Sequence, residues 1–503
     1  MKRLFLIIAV LGFTAGVQAQ EDKTASEYAA TITEEDLTDD LTILASDALE
    51  GRETGERGQK MAAAYIREHF RSIGLDAPVP APGGLQYYQP VKLYSSVPGE
   101  TYLTVNGNTY DNFEDVIHFG SASTKEMTGV EVVFAGDGSE DAIKDLDLSG
   151  KAAMIKAEGM RTWRDAASRI EEKGAKLLLI NAADDDEAFA SMANQFRGYL
   201  SGGRLTLSKP EPSSDEQNND VFFVSPEVTA EILNVKVDEL PAVFSGETKK
   251  LKPTQIGYKI SSETRMVESE NVLGYLEGTD KKDELIILTA HYDHVGINDG
   301  KIYNGADDDG SGTSAILEIA EAFAKAKADG HGPKRSLLFM LVTGEEKGLL
   351  GSAYYASNPI YPLANTVANL NIDMIGRIDP GHKDNPEYVY LVGSDKLSSE
   401  LHEISEKANS TYTNFDLDYT YNDPDHPDRI YYRSDHWNFA KNNIPVIFYF
   451  NGVHEDYHQH TDTVDKINFD ILTKRAKLVF YTAWELANRT ERIKVDVVEE
   501  ESN

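Results

Sequence analysis

From about Glu270 onward the chain alternates apolar runs with helical stretches, and that alternation is the mark of a mostly parallel sheet flanked by helices. Strands are expected at Val272–Leu276, Leu285–Ala290, Ser336–Val342, Thr366–Ile372, Tyr388–Val392 and Val446–Tyr449. Helices are expected at about 313–327, 348–356, 397–408, 434–441 and 467–487. The run Leu285–Leu288 has no polar interruption, as befits a strand covered on both faces. Behind it, Ile316, Ile319, Ala320 and Phe323 recur at helical spacing along one stripe. In sheets of this class ligands bind beyond the carboxyl ends of the strands.

The residues that follow those ends share one chemistry. His291 and Asp293 follow the second strand, and the loop after it carries Asp307, Asp308 and Asp309. Glu345 and Glu346 follow the third strand and Asp373 the fourth, while the loop after the last supplies His454, His458, His460 and Asp462. A single carboxylate at a strand end is ordinarily solvated or caps a helix. Four exits bearing Asp, Glu and His together make a specific signal. Three consecutive carboxylates near an imidazole repel one another unless a cation lies among them, and a hard or borderline divalent ion is the usual answer. Asp307, Asp309, Ser311, Gly312 and Glu318 also fit an EF-hand calcium loop. That loop needs an entering helix, whereas residues 296–306 are turn material and Ser314 stands where an apolar residue is usual.

The remainder sets the context. Met1–Ala19 has Lys2 and Arg3, an apolar stretch Leu4–Val17 and a small-residue site at Ala19, the pattern of a signal peptide cleaved on export. No later segment approaches the roughly 20 apolar residues of a membrane span. There is no cysteine, so disulfides, a thiol nucleophile and cysteine-ligated metal are excluded. The formal charge of −35, two units more negative once Lys2 and Arg3 are removed, argues against nucleic acid or anionic membrane as partner. Sequons stand at Asn409 and Asn488 and matter only in a glycosylating host. A helix is expected from about Gln59 to Ile73, and residues 20–40 read as a loose polar start leading into a first helix. From about 97 to 262 the character changes: short β-like runs (Tyr102–Val105, Val130–Phe134, Ala152–Lys156, Leu177–Ile180) alternate with turns, one helix runs Arg164–Lys173, and 205–220 is an exposed loop. The expected organisation is a signal peptide over 1–19, a main domain over 20–96 and 263–490, a β-rich insert over 97–262, and an acidic tail over 491–503.

The motifs resemble those of the co-catalytic zinc exopeptidases, a family that includes secreted bacterial aminopeptidases and glutamate carboxypeptidase. They are His291-Tyr-Asp293, Gly305-Ala-Asp-Asp-Asp, Gly344-Glu-Glu346, Asn371-Ile-Asp373-Met and Tyr457-His458-x-x-x-Asp-Thr463, with Asp47-Ala-Leu-Glu-Gly-Arg52 and Asn271-Val-Leu-Gly-Tyr-Leu-Glu-Gly278 further out. Through Leu148-Ser-Gly-Lys-Ala-Ala-Met-Ile and Ala167–Ile180 the insert resembles a protease-associated (PA) domain. The resemblance implies the zinc exopeptidase fold and two zinc ions bridged by Asp308, with a cis Asp308–Asp309 peptide. One ion takes His291 and Asp373, the other Glu346 and His458. Asp293 fixes the His291 tautomer, and Glu345 is the general base.

His460 competes with His458 for the last ligand position; His458 is preferred because it stands four residues before Asp462. His294, His426 and His436 read at least as well as structural histidines, and Arg433-Ser-Asp-His436 has no assigned role. The function so implied is removal of N-terminal residues from peptides by an exported enzyme. A glutamate carboxypeptidase-like carboxypeptidase or dipeptidase is the alternative, with Arg377 and Arg433 as candidates for a substrate carboxylate. A non-catalytic binding protein on the same scaffold is a third reading, set back by the presence of every expected ligand. Relatives of glutaminyl cyclase share the fold with one metal, whereas His291 and Asp308 together point to two. The insert contacts substrate or another protein on one reading and is a spacer on the other.

Overall fold

The computed structural model describes residues 21–120, 124–157, 163–201, 204–209, 220–247 and 251–497. Residues 1–19, with the signal-peptide pattern expected above, and residues 210–219 lie outside them. The chain divides into two compact units: one up to Val91 and from Ser269 on, the other Lys92–Glu268.

In the larger unit, helices α1 (Glu34–Leu44) and α2 (Arg57–Ser72) precede the main sheet. Then follow β1 (Ser262–Leu276), β2 (Lys281–His291), α3 (Gly312–Ala328), β3 (Arg335–Val342), α4 (Leu350–Ser357), β4 (Thr366–Ile372), β5 (Tyr388–Val392), α5 (Ser399–Ala408), β6 (Asp416–Asp418), β7 (Val446–Phe450) and α6 (Phe469–Asn488). Across this part of the sheet the order is β1-β3-β2-β4-β7-β5-β6. The central strands β3, β2, β4 and β7 are mutually parallel, while β1 runs against β3, and β5, with β6 parallel to it, runs against β7. The sheet is thus mixed with a parallel centre. Sequence pattern shows the parallel part best, because strands buried on both faces carry unbroken apolar runs.

Alternate residues of the central strands feed two cores. Ile286, Leu288, Leu337, Phe339 and Leu370 pack with α3 and α6, and Ile287, Leu338, Met340 and Phe448 pack with Tyr355 and Phe439 on the opposite face. Helix α3 is buried almost all round, with Phe323 packed on Phe480 and Trp484 at ring separations of 4.9 and 5.6 Å. Parallel register fixes one edge of the sheet as the site. His291 pairs with Val342 and Asn371 with Phe448, so the residues that follow these strands emerge side by side.

Several boundaries differ from expectation. The loose polar start is instead a helix, Lys23–Ala29, whose Ala25 and Tyr28 are buried. Only Trp437–Ala440 of the expected 434–441 stretch is α-helical, preceded by a 3₁₀ turn at Ile430–Tyr432.

In the inserted unit, Val116–Phe119, Asp220–Val224, Leu177–Asn181, Ala152–Lys156 and Val132–Phe134 form a five-stranded, mainly parallel sheet. Asn108–Asp111, Tyr102–Val105, Ile256–Ile260 and Lys125–Val130 form an antiparallel four-stranded sheet. The expected run Val130–Phe134 is therefore divided at Glu131, its two halves serving different sheets. The unit has its own apolar clusters, one around Leu103, Phe222 and Tyr258 and one around Ile155, Ile170 and Phe223.

Candidate metal centre

The Asp triplet explains itself once its partners are named. Asp307 Oδ1 accepts the Gly376 amide at 2.6 Å, and its Oδ2 lies 3.1 Å from His454 Nε2. Asp309 accepts three amides, from Gly312, Met374 and His291, at 2.9, 3.1 and 3.2 Å. The two outer carboxylates are thus held by main chain and one imidazole, and neither converges with Glu318 as an EF-hand would require. Asp308 alone faces the strand exits, and the Asp308–Asp309 peptide is cis.

Asp308 spreads its two oxygens over two groups of side chains. Oδ1 lies 3.1 Å from His291 Nε2, which is 3.7 Å from Asp373 Oδ1 and 3.9 Å from Glu345 Oε2. Oδ2 lies 3.1 Å from His458 Nε2, which is 3.0 Å from Glu346 Oε2. All five expected ligands and Glu345 therefore meet in one place, although they span residues 291 to 458. His291, Asp308 and Asp373 are all buried, whereas the His458 side chain is 38 % exposed and marks the open side. His460 is turned away, its ring beside Tyr303.

A carboxylate cluster this deep strains protonation equilibria. Burial drives the Glu345 carboxyl well above its usual range, helped by Asp373, Glu346 and Asp435 and opposed by His291. For Glu346 burial and Asp308 act in the same upward direction, yet the His294 and His458 imidazoles win and hold it at about 2. Burial disfavours a charged His291 ring, but Glu345, Asp308 and Asp373 outweigh it and raise its pKa. The cation the cluster would accept also fits its orphaned atoms: Asp308 Oδ2, Glu346 Oε1 and both His294 ring nitrogens are buried without a hydrogen bond. Two groupings have ligand atoms close enough to share an ion, His291–Asp308–Asp373 and His294–Asp308–Glu346.

Supporting contacts refine the sequence expectations. The His291 Nδ1 contact at 3.0 Å is with the Asp293 main-chain carbonyl, and the Asp293 carboxylate stands further off at 3.8 Å. That carboxylate instead accepts the Thr54 hydroxyl at 2.6 Å and the Glu345 amide at 3.2 Å, so it anchors the Glu345 backbone. Ser434, from the segment that had no role, donates to Asp373 Oδ2 at 2.6 Å. Arg52 is fully buried and clasps four carbonyls, of Leu44, Tyr292, Asn304 and Gly305. Burial lowers its pKa, against the pull of Asp308, Asp309, Asp293 and Asp462. Gly305 has φ +56°, and a Cβ there would meet the Asp308 carbonyl at 2.2 Å and the His294 ring at 2.6 Å. Thr54, Ser434 and Arg52 were not among the sequence-derived site residues. Arg52 lay within a quoted motif and Ser434 within the segment Arg433–His436, whereas nothing singled out Thr54.

His436 is structural: its Nε2 meets the Tyr431 carbonyl at 2.8 Å, and burial holds its pKa down to about 3. His426 lies outside the cluster, beside Tyr421. Arg377 is tied to Asp456 at 2.9 Å, while Arg433 donates to the Tyr457 hydroxyl at 3.4 Å. Tyr457 stacks on His458 with ring centres 3.9 Å apart.

Residues 271–483 match the profile of peptidase family M28. The M28 segment contains all five grouped ligands and Glu345, while Arg52 and Thr54 precede it. Aminopeptidase YwaD of Bacillus subtilis is 24 % identical over 75 % of this chain and 72 % of its own length. A probable glutamate carboxypeptidase, AMP1 of Arabidopsis thaliana, is 26 % identical over 61 % of this chain and 47 % of its own. The chain spans about half the length of the first curated relatives it matches. Among solved structures, an aminopeptidase from Aneurinibacillus sp. strain AM-1 superposes with a TM-score of 0.57 at 20 % identity, over 94 % of this chain and 98 % of that one. The fold around the M28 segment is therefore that of a known aminopeptidase structure.

Proposed function

We propose that this chain is an exported dinuclear zinc exopeptidase, an aminopeptidase that removes N-terminal residues from peptides. The observation that carries the proposal is the division of Asp308, one oxygen against His291 beside Asp373 and the other against His458 beside Glu346. With Asp308 shared, each position has three protein ligands, the number that leaves room for water and substrate in catalytic zinc sites. Bound zinc supplies Lewis-acid polarisation of the scissile carbonyl and lowers the pKa of water toward neutrality.

The chain's own residues do the rest. Glu345, held through its amide by Asp293, takes the proton from the attacking water and delivers it to the leaving amine. Burial is the main cause of the raised Glu345 pKa, and with cations held by Asp373 and Glu346 the repulsion those carboxylates add would be offset, favouring the ionised base. Tyr457 is kept protonated by burial and by the carboxylates of the site, which makes its hydroxyl a donor at the open side. The surplus of carboxylates suits a substrate ammonium. The arginines considered for a substrate carboxylate already have partners, Arg377 with Asp456 and Arg433 with Tyr457. Export rests on the signal-like pattern of residues 1–19, and no helix among the described residues is long and apolar enough to cross a membrane. The insert, read as a PA-like domain, is proposed as a contact for substrate or another protein.

The test is a panel of free and N-blocked aminoacyl peptides, assayed before and after chelation. Turnover of free N-termini, lost to chelator and restored by zinc, is the expected result. Cleavage of N-blocked peptides at the C-terminus points instead to the carboxypeptidase reading. Glu345→Gln is expected to bind both ions while losing on the order of a hundredfold or more in kcat, and full activity in the metal-replete variant removes Glu345 from its role.

A further inference from the structure

We propose that His294 is a metal ligand, joining Asp308, Glu346 and His458, so that this position holds two imidazoles rather than one. The inference deepens the dinuclear reading above and rests on it.

A histidine with no exposed surface ordinarily satisfies at least one ring nitrogen by hydrogen bonding. His294 is fully buried and satisfies neither. Its Nδ1 nevertheless stands 2.7 Å from Glu346 Oε1 and 3.8 Å from Asp308 Oδ2, and those two oxygens are themselves without hydrogen bonds. Three buried atoms from three chain segments, each lacking a well-directed hydrogen bond, thus face one another, close enough to grip one ion. His458 approaches the same two carboxylates through Nε2, and the two rings meet edge to face at 5.8 Å. The main chain holds the ring there: the His294 amide donates to the Arg52 carbonyl at 3.1 Å, and Gly305 leaves the space the imidazole occupies.

The chemical consequence is an unequal pair. The position with His294 and His458 has two nitrogen donors, while the position with His291, Asp308 and Asp373 has one and is richer in oxygen. Imidazole favours zinc over magnesium or manganese, which prefer oxygen. The nitrogen-rich position is therefore the more zinc-selective of the two.

The experiment counts imidazoles. In a His291→Ala background, every imidazole on a single equivalent of zinc belongs to the position in question, and X-ray absorption at the zinc edge reads their number. Two per zinc is the expected result. One overturns the proposal but leaves the Asp308–Glu346–His458 site standing. None, or no bound zinc, overturns both readings. Should His291→Ala fail to fold, the fully loaded parent protein answers the same question: three imidazoles over two ions are expected, and two overturn the proposal. In competition with a chromophoric chelator, His294→Ala should weaken one zinc by more than the roughly 10–100-fold produced by losing an outer-sphere partner. Unchanged affinity for both ions overturns it, with His294→Gln as a second variant.

Discussion

Glu318 carries its carboxyl inside the protein, only 4 % exposed, with no cation among the described residues in ion-pair reach. Burial raises its pKa to about 9, and Asp40 and Asp36 add to the rise. An acid whose folded pKa lies above its unfolded value keeps a proton that the unfolded chain releases. Stability is therefore undiminished below about pH 4.5 and falls as pH climbs toward 9. At pH 7 the loss is about 3 kcal/mol. Glu318→Gln should match the parent protein in thermal melts at pH 4.5 and exceed it at pH 8.5; an equal difference at both pH values counts against this account. Glu318 also fits the twelfth position of an EF-hand pattern, a reading that the turn-rich residues 296–306 argue against, and helix α3 places it near Asp36 and Asp40 of α1. His294 is a different case, since an imidazole three residues after His291 says nothing of which way its ring turns.

Strands and helices were the most legible elements, because β2, β3 and β7 carry the apolar runs Leu285–Leu288, Leu337–Val342 and Val446–Phe450, and polar residues stand at or beyond the same edge of each. Where packing is strongest the sequence pattern was plainest: Phe323 lies on the α3 stripe and in the aromatic cluster with Phe480 and Trp484. Phe323→Ala should cost about 3–5 kcal/mol in denaturant unfolding. The loop between β2 and α3 was harder, since its shape depends on contacts made from outside it. Asp462 accepts the Asp307 and Asp308 amides from 155 and 154 residues away. Ser434 reaches Asp373 across 61 residues and Thr54 reaches Asp293 across 239, and no local spacing encodes such meetings. The five ligands themselves were assigned by resemblance; periodicity alone reached only the strand exits. Within the loop, Gly305→Ala should perturb Asp308 and His294 together. Calorimetric zinc titration is expected to show weakened binding with α3 helicity intact, and parent-like affinity would show that the loop absorbs the methyl.

Each of the two compact units has its own apolar core, so heat need not unfold them as one. Ligand stabilises the unit that binds it by mass action. Calorimetry is expected to resolve two transitions, of which added zinc raises one and leaves the other in place; a common shift of both would mean that the units melt together. The Arg52 clasp has a bearing on dissection of the molecule. It gathers the backbone just ahead of Asp307 from a position more than two hundred residues upstream, on the far side of the insert. A fragment cut to residues 271–483 would retain every proposed zinc-binding side chain and the proton carrier, yet lack the guanidinium that draws Tyr292, Asn304 and Gly305 together. Supplying the missing N-terminal stretch as a separate polypeptide would then be the way to restore zinc uptake to such a remnant.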